Sequence, residues 1–365
     1  MESYPFLVKN TFRLFFAFLI IAALLLARQL LVPLFLSVLV AYLLFPYASW
    51  LEDHKVPRIA ANLIVIIGFL AVLAGIFIGI GALSSNLTEN LSEIKEQFES
   101  NISSIKASIM SFTGMSEAQI DSMAQSFGET GEYLSQLFTA TANTVLNFVL
   151  LPVYTFLFLF YRNKFREFVF MKIDSGNDRA AEKIIDQASK VVPKYLKGLI
   201  IVCTILVVLN SVGFMIIGLE YAILLGIIAA LFNLIPYLGT ILGYGVVILF
   251  VFGTQSSSLA LAVAIQFFII QFIENNILTP NITGSYMQIN PFVTIFSLIA
   301  ASTLWGVPGM LIVMPYLGLF KIVCENVEKL KPLNYLLGTA GTEKYNIDIS
   351  TIKKKFGWSD DEEDN

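Results

Sequence analysis

Residues 230–244 read "ALFNLIPYLGTILGY" and place an asparagine, a proline and two glycines inside a long apolar run. Pro236 removes a backbone donor and disfavours helix at Ile235, while Gly239 and Gly243 permit tight turning and close helix approach. Backbone groups freed in this way cost several kcal/mol each when they face lipid. They must therefore be buried in protein, as at a proline kink satisfied by neighbouring helices, or face a water-filled cavity.

The composition around this stretch is that of a membrane protein. Hydrophobic residues make up 56% of the 365-residue chain and charged residues only 14%, against about 25% charged residues in soluble proteins. An apolar stretch of about 18 residues is long enough to cross a bilayer. Such runs lie at roughly 12–29, 31–50, 59–83, 139–161, 198–218, 221–252, 257–273 and 291–320. We therefore predict an all-α polytopic membrane protein with about eight membrane segments.

The distribution of lysine and arginine predicts the orientation of these segments, because cytoplasmic loops are enriched in both. A topology with both termini inside requires 221–252 and 291–320 each to return to the side from which it entered. We therefore predict two re-entrant helical hairpins, the second broken at Gly306, Pro308 and Gly309. The predicted cytoplasmic segments, taken with Arg13 and Lys321, then hold 20 of the 23 basic residues: 1–11, 51–58, 162–197, 278–290 and 321–365.

These patterns divide the chain into six regions. They are membrane segments 1–3 (1–83), an extracytoplasmic amphipathic helical region (84–138), membrane segment 4 (139–161), a cytoplasmic amphipathic region (162–197), a transport core with two hairpins (198–325) and a cytoplasmic C-terminal tail (326–365).

The amphipathic regions have open interpretations. The apolar stripe that begins at Leu87 and ends near Ile109 fits helices that pack on each other or on the bilayer surface. It equally fits a helix that contacts another subunit. A shared apolar face near Ile184 and Val191 fits an interfacial helix before the fifth span.

Recognisable catalytic and metal sites are not found in the sequence. His54 is the only histidine, and Cys203 and Cys324 lie in or beside spanning segments, where we interpret them as packing residues. There is no phosphate-binding glycine loop and no zinc-protease motif. We therefore expect neither an enzyme nor a bound metal or cofactor, and no nucleic-acid partner.

The segment "AIQFFIIQFIENNILTPNITG" at 264–284 carries the most polar groups in an apolar context. At about 100° per residue, Gln271, Glu274 and Asn275 fall within one 100° arc, and Gln266 lies outside it. A charge at mid-membrane costs roughly 2.5–3.5 kcal/mol on insertion scales. Glu274 is therefore expected to line a solute pathway, unless it lies close enough to the cytoplasmic interface to be hydrated there.

Several motifs resemble those of the autoinducer-2 exporter family of bacterial membrane proteins. "FNLIPYLGTILGY" is similar to its N-x-IPY-x-G segment, and "QFIENNILTPNITG" to its Q-x-x-E-x-x-x-L-x-P-x-x-x-G segment. "GVPGMLIVMPYLGLFK" at 306–321 and "YLKG" at 195–198 resemble further family segments. Thr240 departs from the pattern, because many relatives carry proline there. Its hydroxyl either adds a ligand or changes the turn.

The resemblance implies a multi-pass transporter of the bacterial inner membrane that exports a small polar solute of the autoinducer-2 type and is coupled to sodium or protons. It also implies a homo-oligomer, a pentamer in the family. Two alternatives stay open: a sodium–proton antiporter without an organic substrate, and a membrane scaffold that does not transport. The predicted pathway residues are Asn233, Pro236, Tyr237, Gly239, Thr240, Gln271, Glu274 and Asn275.

Overall fold

The computed structural model describes residues 6–89, 149–173, 178–236, 238–283 and 289–339, together with positions 100, 103 and 110. Most of the predicted outer region 84–138 lies outside the described residues, and so does the acidic end of the C-terminal tail. The two interpretations of the outer region are therefore carried forward as predictions.

The described chain is built from helices. Five of them are long and apolar enough to cross a membrane, and four shorter apolar helices accompany them, which confirms the all-α polytopic class. The elements are α1 (Phe6–Leu26), α2 (Arg28–Asp53), α3 (Arg58–Glu89), α4 (Leu150–Phe160), α5 (Arg162–Ile173), α6 (Asp178–Ile217), α7 (Ala222–Phe232), α8 (Leu238–Thr254), α9 (Ser257–Ile273), a π-helix (Glu274–Thr283), α10 (Pro291–Asn326), a 3₁₀ turn (Glu328–Leu330) and α11 (Lys331–Leu337).

Helix α6 differs from the sequence expectation. The predicted interfacial helix and the fifth span form one continuous helix of 40 residues with Pro193 inside it. The apolar face around Ile184 and Val192 is buried against other helices, so this face has protein rather than the membrane surface as its partner.

Helices α7 and α8 form the first hairpin. Gly243 on α8 lies so close to Ala229 on α7 that a Cβ atom at Gly243 would meet the Ala229 carbonyl oxygen at 2.9 Å. The two residues are fourteen positions apart, a separation of about 21 Å along a continuous helix. The chain therefore reverses between them, at the "NLIPY" turn. The re-entrant passage of this hairpin through a membrane stays a prediction.

The second hairpin is formed within α10, where Gly306 has φ 65° and ψ −145° and interrupts the helix. A Cβ atom at Gly309 would collide with the carbonyl oxygen of Ala301, eight residues earlier, so the two arms fold back on each other. At the turn, Trp305 Nε1 donates a 3.0 Å hydrogen bond to the carbonyl oxygen of Leu24, near the α1–α2 turn. The hairpin tip therefore lies beside the α1–α2 turn, at the end of the bundle opposite to the end at which α10 begins.

The two hairpins meet inside the bundle. Ile235, at the tip of the first hairpin, packs in one buried cluster with Leu298 and Met314 from the two arms of the second. A larger cluster joins α6, α7, α8 and α9 around Phe214, and Val247 also lies in it. The core of the molecule therefore includes the tip of the first hairpin and the arms of the second.

Four of the segments predicted to be cytoplasmic contact one another at one end of the bundle. Arg162 donates two hydrogen bonds to the Glu52 carboxylate, at 3.0 and 2.5 Å. Asn326 Nδ2 donates to Gln187 Oε1 at 2.7 Å, and Asn290 Nδ2 donates to the carbonyl oxygen of Leu336 at 2.9 Å. These contacts agree with a topology in which the basic segments share one side.

Candidate functional site

The tip of the first hairpin closes through tight backbone turns. Asn233 N–H donates to the Ala230 carbonyl at 3.1 Å, and Ile235 N–H donates to the Phe232 carbonyl at 3.0 Å. Gly239 N–H donates to the Ile235 carbonyl at 2.9 Å, which starts α8. The helix-breaking residues therefore end α7 without leaving these donors unpaired, and the turn projects its side chains into the bundle.

Gly239 is needed for this closure. A Cβ atom there would overlap the Phe232 carbonyl oxygen and approach the Ile235 side chain. The absence of a side chain thus lets the first turn of α8 lie directly on the last turn of α7. Pro236 is half-buried in the same turn, and Tyr237 lies outside the described residues.

Glu274 lies at the end of α9 and meets this tip. Asn233 Nδ2 donates to Glu274 Oε1 at 2.7 Å, and the Thr240 hydroxyl donates to Asn233 Oδ1 at 3.1 Å. Gln271 Nε2 approaches Glu274 Oε2 at 3.4 Å. We call Asn233, Thr240, Gln271 and Glu274 the tip cluster.

The tip cluster is shielded from the surroundings. Asn233, Thr240 and Glu274 are buried, with exposed fractions of 8%, 7% and 8%. The chain between Lys197 and Lys321 contains no lysine or arginine, so the hairpin and α9 bring no basic side chain of their own to the carboxylate. A buried carboxylate that accepts hydrogen bonds from two carboxamides favours a pathway role for Glu274 over hydration at a membrane interface.

Asn275 is not brought into the cluster. Its side chain is exposed, because the buried stripe of α9 runs through Val263, Gln266, Ile270 and Glu274 and Asn275 follows it by one residue. The arc predicted from the sequence is centred on Gln271, which lies to one side of this buried stripe. Gln266, which that arc left out, is part of the buried stripe.

A second polar group lies between α6, α8 and α9. The Tyr244 hydroxyl donates to Asn210 Oδ1, and Gln266 Nε2 approaches the Asn210 carbonyl oxygen at 3.4 Å. We call these three residues the Tyr244 layer. Sequence reasoning missed Asn210 and Tyr244. The available signal was a single asparagine within the apolar helix that precedes the hairpin.

The residues predicted at the second hairpin lie apart from the tip cluster in sequence and have structural roles. Gly306 adopts a backbone conformation that side chains disfavour, and Gly309 allows close approach of the arms. Pro308 follows the break inside α10.

The donor set of the tip cluster suits a cation or a hydrogen-bonding solute. It combines one carboxylate with carboxamide and hydroxyl oxygens, which are ligands that hard cations accept. Among the described residues, no group of three or more histidine, cysteine, aspartate and glutamate side chains is arranged to hold a metal ion. Cys203 donates to the Ala230 carbonyl oxygen at 3.3 Å and Cys324 is buried.

Broken hairpins and buried polar side chains inside a membrane bundle are typical of membrane transport proteins. The chain belongs to the AI-2E transporter family, whose sequence profile matches residues 14–329. Members of this family are transport proteins and not enzymes.

The similarity to individual relatives extends over most of the chain. The provisionally named transport protein YrrI of Bacillus subtilis is 28% identical over 310 residues, covering 81% of this chain and 86% of YrrI. The AI-2 transport protein TqsA of Escherichia coli is 23% identical over 336 residues, covering 90% of this chain and 92% of TqsA. These similarities support membrane transport of a small solute as the general function.

Proposed function

We propose that the protein is a secondary transporter of the bacterial inner membrane that exports a small polar solute of the autoinducer-2 type, coupled to sodium or protons. The observation that carries this proposal is the hydrogen bond from Asn233 to Glu274, because it places a buried carboxylate against a broken hairpin. In known transporters, discontinuous helices of this kind hold substrates and coupling ions.

Two parts of the tip cluster have separable roles in this proposal. Glu274 binds the coupling ion, since a buried carboxylate gains more from a cation or a proton than any neutral group nearby. Asn233 and Thr240 connect ion occupancy to the hairpin tip, because both hydrogen bonds lie between the carboxylate and the turn. Gly239 and Pro236 give the turn the shape that directs these side chains inward.

A sodium–proton antiporter without an organic substrate is the second candidate, and one observation favours it. Gln271 Oε1 is buried and accepts no hydrogen bond from the described residues, although the same side chain approaches Glu274. A carboxylate next to an unpaired carboxamide oxygen is a suitable beginning for a sodium site. This candidate needs no solute-binding residues, because the tip cluster alone would bind its ions.

Reconstituted protein separates the candidates. Proteoliposomes loaded with unlabelled autoinducer-2 should take up labelled autoinducer-2 by counterflow if the first proposal holds. In liposomes without solute, sodium uptake driven by a pH gradient is expected of the antiporter, because a sodium-coupled exporter moves the ion only in exchange for its solute. Sodium uptake without any counterflow of autoinducer-2 or small sugars would select the antiporter, and the absence of both activities would support a scaffold.

Assembly is a separate proposal. The family resemblance implies a homo-oligomer, and a pentamer is the expected form. The mass of the purified protein in detergent, measured by light scattering with subtraction of the detergent, tests this number directly.

A further inference from the structure

The Tyr244 layer is buried within the largest apolar cluster of the described residues. Asn210 and Tyr244 are 1% and 2% exposed, and Gln266 is 8% exposed. The Tyr244 ring lies 4.8 Å from the Phe267 ring and 6.1 Å from the Phe214 ring, measured between centroids. Polar side chains inside a membrane bundle are costly to bury, and they either join helices by hydrogen bonds or line a solute path.

The layer has an unused hydrogen-bond acceptor. Gln266 Oε1 is buried and has no hydrogen-bond partner among the described residues. A buried polar atom left unpaired costs about 1–3 kcal/mol. The chain nonetheless makes room for this carboxamide, because Gly213 on α6 has no side chain where a Cβ atom would overlap Gln266.

The layer continues the tip cluster toward the end of the hairpin at which α7 begins and α8 ends. Tyr244 follows Thr240 by one helical turn on α8, about 6 Å along the axis. Gln266 precedes Glu274 by two turns on α9, about 12 Å in the same direction. Buried polar groups therefore extend along both helices from the carboxylate to about the middle of the hairpin.

The chemistry of the two groups differs. The tip cluster contains a carboxylate, whereas the Tyr244 layer consists of two carboxamides and a phenol, all uncharged. An uncharged set with both donors and acceptors suits the hydroxyl and carbonyl groups of a neutral solute, which needs partners of both kinds. A cation would gain more from the carboxylate than from this layer.

We propose that Asn210, Tyr244 and Gln266 form a second binding station that takes the hydroxyl groups of an uncharged polar solute, while Glu274 holds the coupling ion. This inference rests on the proposed function, and it assigns the solute and the ion to different residues. The solute replaces the Tyr244–Asn210 hydrogen bond and donates to the unpaired Gln266 Oε1.

The test is Tyr244→Phe, which removes the hydroxyl and retains the ring packing against Phe214 and Phe267. The matched control is Tyr221→Phe, which makes the same change at the start of the hairpin, where the ring packs on Phe250. In proteoliposomes, labelled autoinducer-2 measures the KM and maximal rate of counterflow. Sodium-dependent and proton-dependent stimulation of the same flux measures half-saturation by the ion.

We expect Tyr244→Phe to raise the KM for the solute about 3- to 10-fold, the range for loss of one neutral hydrogen bond. Half-saturation by the ion and the maximal rate should stay within twofold of wild type, as should all parameters of Tyr221→Phe. Gln266→Met, which keeps the chain length and removes the amide, should show the same separation and carries the test if Tyr244→Phe does not fold.

Different outcomes contradict different claims. Wild-type counterflow with an unchanged KM in both Tyr244→Phe and Gln266→Met would overturn the second station and leave the proposed function intact. A lowered melting temperature, with equal impairment of solute counterflow and of its stimulation by the ion, would show that the layer only joins helices. Absence of autoinducer-2 counterflow in wild type would overturn the proposed function together with this inference.

Discussion

Asn233 and Glu274 are 41 positions apart in the chain, yet a 2.7 Å hydrogen bond joins the Asn233 carboxamide to the Glu274 carboxylate in the buried interior. The bond connects the turn of a broken hairpin to the end of a membrane-spanning helix. A change in the charge or occupancy of Glu274 therefore acts directly on the hairpin tip. This relationship is the physical basis of the proposed coupling between ion and solute.

Asn233→Leu should tighten ion binding. The change removes a donor that stabilises the charged, unoccupied Glu274 carboxylate by about 1.5–3 kcal/mol, so half-saturation by the ion should fall about 10- to 100-fold. Asn275→Leu is the matched control, because it removes an exposed carboxamide one residue beyond Glu274. Ion titration of flux in proteoliposomes measures both variants. Equal effects of the two substitutions would support the sequence-based pathway that included Asn275 and contradict the geometry described above.

Gly239→Ala should destabilise the protein by opening the hairpin. The new methyl group would overlap the Phe232 carbonyl oxygen, and overpacking of this kind costs about 1–3 kcal/mol. Gly245→Ala on the same helix has nothing within 4 Å of the new atom, so it should be neutral or stabilising by about 0.5–1 kcal/mol. Thermal unfolding in detergent compares the two. A Gly239→Ala protein as stable as Gly245→Ala would show that the arms are not in backbone contact.

Labelling from each side of the membrane should report the predicted orientation. In a background without Cys203 and Cys324, cysteines introduced at His54 and Glu328 should react with an impermeant maleimide only in inside-out vesicles. Cysteines introduced at Glu220 and Ser258 should react only in right-side-out vesicles. Labelling of all four from one side would contradict the two-hairpin topology. It would place the end of α6 and the start of α9 on the same side as the basic segments.

Much of the architecture could be predicted from composition and from the position of helix breakers. The "NLIPY" turn and Gly306 were identified because glycine and proline are costly inside an apolar helix unless the chain changes direction there. Asn233 and Glu274 are both among the pathway residues predicted from the sequence, and the structure joins them. The individual hydrogen bonds depend on tertiary packing, which the sequence pattern does not specify.

Other features differ from the sequence expectation for identifiable physical reasons. Hydropathy falls before Gly198, so the pattern indicates that the membrane span begins there. Helix hydrogen bonds do not require an apolar environment, however, and α6 is continuous from Asp178. An arc centred on Gln271 includes Asn275 and leaves out Gln266, whereas Gln266 is buried on α9 and Asn275 is exposed. The spacing of Gln266, Ile270 and Glu274 defines the buried face of α9, and it was visible in the sequence.

The most direct test of the central claim is the ion dependence of transport by Glu274→Gln, with Glu220→Gln as the control at an exposed carboxylate. Labelled autoinducer-2 flux is measured in proteoliposomes with and without a sodium or proton gradient. The account predicts that Glu274→Gln loses the stimulation by the gradient, while Glu220→Gln keeps it in full. Full ion-coupled flux in Glu274→Gln would contradict the role of this carboxylate and, with it, the proposed coupling through the hairpin tip.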